Sequence, residues 1–189
     1  MRQEDIHRLK QRNEEEQWRA IQALQKRLDY IEPREEQGSE VLSLFAYGEI
    51  YVHNNGVAQS IATGAAYTKS TAWTTDGQER NCTNDAANDK ITLTETGIYK
   101  VSCNASAKSG TANINLLGAI FLNAVEQDQI HFRRKISTAN DEGSMAMNGF
   151  IDVTTAPWDL DLRLRHDNAG AVNITITYAN MNVIYLGPT

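Results

Sequence analysis

Near the N-terminus, apolar side chains recur in steps of three, four and three residues. They are Ile21, Leu24, Leu28 and Ile31. This spacing puts them in one narrow stripe along a helix and predicts the seam of a coiled coil. Pro33 ends the predicted helix, because the residue before a proline avoids the α-helical region. A stripe this narrow needs other copies of the helix, the rest of the chain or a partner to bury it.

Towards the N-terminus the stripe continues in steps of four through Gln17, Asn13 and Leu9. Two interpretations stay open. Polar amides in or near a seam fix register and strand number at a cost in stability. Alternatively, the first two turns are frayed and the seam begins at Trp18.

From about residue 42 onward, apolar and polar residues alternate with a period of two, which predicts β-strands with one buried face. The buried sets are Trp158, Leu160, Leu162 and Leu164; Tyr99, Val101, Cys103 and Ala105; and Ile174, Ile176 and Tyr178. Turn signals rich in Asn, Asp and Gly separate the segments. Eight to ten strands at this spacing predict a sandwich or barrel.

One predicted strand, within residues 112–123, is apolar on both faces. Leu116 and Ile120 lie on one side, with Leu117, Ala119 and Phe121 on the other. A strand of this kind is covered on both faces. The second cover is either another subunit or a flap of the same chain.

The composition changes near residue 40. The first forty residues hold 8 of the 18 Lys and Arg residues and 10 of the 24 Asp and Glu residues, with no glycine before Gly38. We therefore predict a coiled-coil stalk over residues 1–33, a linker over 34–41 and a β head over 42–189.

The formal net charge of −6 argues against a nucleic-acid partner, which requires a concentrated basic face. The sequence has no apolar run near the ~18 residues of a membrane span. Charges occupy the N-terminus where a signal peptide needs an apolar stretch, which predicts synthesis in a cytoplasm without export and no membrane insertion.

Three segments of the head resemble the superfamily of tumour necrosis factor and the complement globular head. Residues 94–101 (TETGIYKV) resemble a strand entry of that superfamily, residues 121–123 with 129–132 its central hairpin, and residues 179–187 its last strand. The Thr- and Asn-rich texture is most similar to versions in tailed-phage virion proteins. The resemblance implies a ten-stranded jelly roll that assembles as a trimer. We assign its interface to Leu117, Ala119, Phe121 and Tyr185.

The sequence shows no catalytic constellation, and we predict no enzyme activity, no cofactor and no metal. No HExxH, GxSxG or Gly-rich phosphate loop is present. Asp159 and Asp161 share a strand face with Arg163 and Arg165, which predicts a solvated ladder of opposite charges. A polar loop rich in Asx turns, or a calcium site, is formed by Asn84, Asp85, Asn88 and Asp89.

A few other residues have two interpretations. Arg133 and Lys135 share a face with His131, and Arg134 points the other way towards an acidic partner, in this chain or across a subunit boundary. The exposed pair is a docking patch for an acidic surface or glycan, or a solvated face.

Trp73 is a lid on the sandwich edge or a glycan platform. The two cysteines, Cys82 and Cys103, are reduced and buried, or joined in a disulfide.

These features predict a trimeric structural protein on the surface of a virion, such as a head fibre, decoration protein or short fibre of a tailed phage. The N-terminal helix would bind capsid or tail proteins through residues off the seam, and the β head would be exposed. These attachment residues are Ile6, Leu9 and Trp18. The alternative is a receptor- or carbohydrate-binding tip of a phage or bacterial surface, with a host-surface glycan as partner.

Overall fold

The computed structural model describes Gln22, Lys26, residues 45–62 and residues 66–189. The chain divides into two compact units, Met1–Ser43 and Leu44–Thr189. In the first unit Gln22 and Lys26 are helical, with exposed side chains. The seam, the attachment residues and the linker lie outside the described residues, and the coiled coil and the three-part division of the chain stay predictions.

Twelve strands and one short 3₁₀ helix make up the described part of the second unit. The strands are β1 (Tyr47–His53), β2 (Gln59–Ile61), β3 (Thr68–Lys69), β4 (Thr75–Asp76), β5 (Cys82–Asp85), β6 (Lys90–Leu93), β7 (Gly97–Ser109), β8 (Ile114–Leu122), β9 (Val125–Ile136), β10 (Gly143–Val153), β11 (Trp158–His166) and β12 (Val172–Gly187). The 3₁₀ helix, Ala86–Asn88, lies between β5 and β6. Two of the strands, β3 and β4, have only two residues each.

The strands form two six-stranded antiparallel sheets. In the first sheet the order is β10-β7-β12-β1-β4, with β2 paired to β12; in the second it is β5-β6-β11-β8-β9, with β3 paired to β11. From β2 onward the chain crosses between the sheets at every connection except β5 to β6 and β8 to β9. This alternation is the topology of a jelly roll.

The apolar face of each long strand points into the space between the sheets. Val101 on β7 and Leu160 and Leu162 on β11 are fully buried, as the period-two pattern predicts. The prediction of a mainly β jelly-roll sandwich is therefore confirmed. The strand number differs from the ten that the resemblance implied, because the described residues form twelve strands, two of them only two residues long. No helix of the described residues has the length and hydropathy needed to cross a membrane.

Side chains from β9 close one side of the sandwich by packing over glycines of β10. A Cβ atom at Gly149 would lie 2.6 Å from Cγ1 of Ile130, so only glycine leaves room for this side chain. The guanidinium group of Arg134 packs in the same way over Gly143. These contacts join the edge strands of the two sheets.

Candidate interaction surfaces

The outer face of the first sheet carries exposed apolar residues. Seven large hydrophobic side chains are exposed among residues 45–62 and 66–189, and four of them lie on this face: Phe150, Tyr178, Ile184 and Leu186. Strand pairing places Tyr47, Ile184, Lys100 and Phe150 in one row across four strands. We call this the apolar row. Lys100 lies between Ile184 and Phe150 and interrupts the row with a charge, so Tyr47 and Ile184 are its directly adjacent apolar pair. Clustered apolar surface marks an interaction site more often than scattered residues do.

A bulge in β12 decides that Tyr178 belongs to this outer face. Ile174 and Ile176 are buried, whereas Tyr178 is 44% exposed, and the pairing with β7 shifts between Ile176 and Tyr178. One extra residue in a strand moves every later side chain to the opposite face. That residue is Thr177, whose hydroxyl donates to the Ser106 carbonyl at 3.1 Å. The prediction that Tyr178 is buried with the two isoleucines is therefore wrong.

Beside the bulge lies a groove of about 540 Å³. Small polar side chains form part of it, including Ser106 and Ser144, whose hydroxyl oxygens are 3.1 Å apart. Tyr178 also lines it, and its ring packs edge-on against His53 with the centroids 5.1 Å apart. Asn104 and Asn180 add side-chain amides. Apolar side chains complete the lining, so the groove combines an aromatic ring and an apolar wall with a few amides and hydroxyls, a composition that suits a small ligand.

The outer face of the second sheet is covered around Phe121 by residues of the same chain. The Phe121 ring is 7% exposed and meets the Tyr67 ring edge-on at 5.2 Å. The guanidinium carbon of Arg163 lies 4.3 Å from the centroid of Phe121, and that of Arg165 lies 4.7 Å from the centroid of Tyr67. Of the two open interpretations, a cover from the same chain explains the apolar pattern here.

Three of the four predicted interface residues are already buried in one chain. Ala119 has no exposed surface, and Tyr185 packs in the core against Tyr99 with ring centroids 5.1 Å apart. The Tyr185 hydroxyl also donates to the Thr96 carbonyl at 3.2 Å. Leu117 alone is half-buried. Since a side chain covered by its own chain has little surface left for a second copy, the apolar pattern is not itself a sign of an interface, and this assignment stays a prediction.

The prediction that the charges on β11 form a solvated ladder is wrong at Asp161, because this side chain is buried, with 4% of its surface exposed. Arg163 donates to both of its carboxylate oxygens, at 2.7 Å and 3.1 Å. Asp161 is opposite Phe121 in the pairing of β11 with β8, so the residues that cover this face also exclude water from the carboxylate. The two atoms of the guanidinium fork hold the carboxylate in a fixed geometry.

Asp159 differs from Asp161 because it keeps solvent contact. Burial raises the pKa of Asp159, but hydrogen bonds from Thr92 at 2.7 Å and Lys90 at 2.9 Å outweigh it and leave the pKa below its usual value. The two carboxylates therefore serve as structural ion-pair partners.

The three basic residues in sequence on β9 point to opposite sides of the sheet, as the alternation predicts: Arg134 to one side, Arg133 and Lys135 to the other. Arg134 donates to Asp141 at 2.9 Å and to the Ala107 carbonyl at 3.3 Å, so its acidic partner is in the same chain. Arg133 and Lys135 are exposed on the outer face of the second sheet. A docking role for these two stays a prediction.

The Asx-rich loop uses its oxygen atoms for its own fold. The Asn84 side chain accepts from the Glu49 amide at 2.9 Å and donates to the Gly77 carbonyl at 3.1 Å. Asp85 caps the 3₁₀ helix by accepting from the amide of Asn88 at 3.1 Å. Burial raises the pKa of Asp89. These contacts favour the polar loop over the calcium site.

Three further residues are structural. Trp73 is 5% exposed, which fits a lid on the sandwich and leaves no platform for a glycan. Cys82 and Cys103 are buried and unbonded. Burial raises the pKa of each thiol to about 12, so both stay protonated at neutral pH.

Comparison with known proteins identifies the fold of the head. No family model matches the chain, and no curated protein matches it. The globular domain of zebrafish complement 1qA is similar in structure, with a TM-score of 0.55, 11% identity and coverage of 76% of this chain and 98% of that chain. Eiger TNF from S. frugiperda gives a TM-score of 0.51, 11% identity and coverage of 77% and 94%. The PRD1 vertex protein P5 gives 0.50, 15% identity and coverage of 75% and 97%.

These similarities show a TNF-like jelly roll, as the sequence resemblance implied. At such low identity they define the fold alone, because one fold hosts many functions.

Proposed function

We propose that this chain is a non-enzymatic structural protein of a virion surface, a head fibre, decoration protein or short fibre of a tailed phage. The observation that carries the proposal is the shared fold of the head and the PRD1 vertex protein P5. A vertex protein belongs to the surface of a particle, and a rigid sandwich that presents surfaces suits such a role. The N-terminal helix attaches the chain to other virion proteins, and the head is the exposed end.

We further propose that the protein is a homotrimer. Three features support this state: the coiled-coil seam predicted from the sequence, the trimer implied by the resemblance, and the apolar row. Phe150 and Ile184 are 59% and 43% exposed, and they lie in one row on the outer face of the first sheet. Packing this face against a second copy removes apolar surface from water at about 25 cal/mol per Å². We propose this outer face of the first sheet as a further candidate contact of the head, beside the predicted interface residues Leu117, Ala119, Phe121 and Tyr185.

Light scattering on the full chain at micromolar concentration is expected to give the mass of three copies. The double substitution Phe150→Asp with Ile184→Asp places charges on the contact face and is expected to lower this mass while the circular dichroism spectrum stays β-rich. Val125→Asp is the matched control, because Val125 is 64% exposed and lies on the other sheet. A monomeric wild type would remove the proposal. An unchanged mass of the double variant would place the contact elsewhere.

Attachment through Ile6, Leu9 and Trp18 is tested with particles that lack the protein. Trp18→Ala and removal of residues 1–12 are expected to reduce occupancy on these particles, because large apolar anchors carry most of the binding energy at an interface. Val125→Asp, on the head, is expected to decorate them normally. If the N-terminal variants bind at full occupancy, the attachment surface lies on the head and the orientation is inverted.

The second candidate function is a carbohydrate-binding tip, and the groove favours it. The exposed Tyr178 ring lies beside Asn104 in this groove and offers stacking next to an amide, whereas the Asn180 amide already bonds Glu49 and Asn182. This groove lies on the same sheet face as the apolar row. The light-scattering test of a contact through that row therefore also tests whether the groove is open to a glycan. A trimer whose contact covers Tyr178 excludes a glycan from the groove.

A further inference from the structure

Three side chains of β9 bring a mixed set of metal-ligand atoms together. Glu126, Asp128 and His131 each offer one donor atom, and these atoms all lie within 4.8 Å of one another. The Nε2 atom of His131 is 3.2 Å from Oε1 of Glu126. The donor set combines one imidazole nitrogen with two carboxylate oxygens.

An irregularity in β9 produces this cluster. Ala119 pairs with His131, and Phe121, two residues later, pairs with Glu126, five residues earlier. Three extra residues of β9 are thus accommodated between two paired positions. On a regular strand, side chains five residues apart would be separated by roughly 17 Å at ~3.4 Å per residue. The bulge therefore brings together groups that strand geometry would keep apart.

The bulge is held by contacts with β10. The Ile130 side chain is fully buried and packs over Gly149. Gln129 donates from its side-chain amide to the Phe150 carbonyl at 3.0 Å. Gln129 and Ile130 thus anchor the backbone of the bulge to the opposite sheet, which limits the backbone entropy lost when a ligand fixes the cluster.

We propose that Glu126, Asp128 and His131 bind a zinc-class divalent cation. Zinc takes imidazole nitrogen and carboxylate oxygen at about 2.0–2.2 Å, and three protein ligands leave a fourth position for water or a partner's side chain. With tetrahedral angles, such bonds require donor separations of about 3.4 Å. The donor atoms lie within 4.8 Å of one another, and rotation of the exposed Asp128 and His131 side chains brings them to the shorter separation.

The composition of the cluster selects against the common hard cations. Calcium prefers six to eight oxygen ligands, whereas imidazole suits zinc and its neighbours in the first transition row. Exposed Arg133 follows the cluster on β9, and Arg163 and Arg165 of β11 lie on the same outer face, over the rings of Phe121 and Tyr67.

Isothermal titration of the metal-free full chain with zinc alone is expected to show one site per chain. His131→Ala, and Glu126→Gln with Asp128→Asn, are expected to weaken that site by at least the roughly 10- to 100-fold that the loss of an outer-shell partner costs. His53→Ala is the matched control, since it removes an exposed histidine on the other sheet. Cobalt(II) absorption provides a second readout, with tetrahedral d–d bands in the wild type that are absent in His131→Ala.

Three results would overturn the site. They are no zinc binding, zinc binding that His131→Ala leaves unchanged, and calcium binding at these residues as tight as that of zinc. Circular dichroism spectra that match the wild type show that the variants are folded, so a loss of binding reports on the ligands. The outcome is independent of the virion proposal, which rests on the fold and on the N-terminal helix.

Discussion

Leu162→Asp is expected to abolish cooperative folding of the head. Leu162 has no exposed surface and lies on β11 in the centre of the second sheet. An unpaired carboxylate there is either buried at a cost of several kcal/mol or forces water into the core. That cost approaches the total of about 5–15 kcal/mol that stabilises a typical domain. Circular dichroism and thermal unfolding measure the result.

Asn173→Asp is the control for the added charge. Asn173 lies on a strand as well, but its side chain is exposed, so this substitution is expected to change stability by no more than about 0.5 kcal/mol. A soluble Leu162→Asp protein with an unchanged melting temperature would mean that the two faces of β11 are reversed from those described.

Arg163→Met is expected to destabilise the head by about 3–5 kcal/mol, the usual cost of breaking a buried ion pair. The substitution keeps much of the volume that packs over Phe121 but removes both hydrogen bonds to Asp161. A carboxylate that is 4% exposed is then left without its cation. Chemical denaturation of the variant and the wild type gives the difference in the free energy of unfolding.

The double substitution Asp161→Leu with Arg163→Met separates the ion pair from packing. Replacing both partners of a buried pair by apolar groups of similar volume is often neutral or stabilising. We expect the double variant to recover most of the stability lost in Arg163→Met. If the single variant is as stable as the wild type, the pair is solvated in solution, as the strand pattern alone had predicted.

The β class of the head and the buried faces of its regular strands could be predicted from the amino-acid pattern alone. The period-two pattern at Val101 and at Leu160, Leu162 and Leu164 predicted burial that the structure confirms. This works because alternation and burial are local consequences of strand geometry. The short segments quoted for the superfamily resemblance also pointed to the correct fold, since they mark strand entries and a hairpin.

The pattern did not show where that alternation is interrupted or which surfaces are already covered, because both depend on contacts between strands. The bulge in β12 exposes Tyr178, and the larger bulge in β9 brings His131 to Glu126. Neither has a clear signal in the sequence, because a bulge depends on the strand beside it. The cover of Phe121 by Tyr67 likewise joins residues more than fifty positions apart. The local pattern shows on which face of a strand the apolar residues lie. Contacts between distant segments determine which of them stay exposed and able to meet a partner.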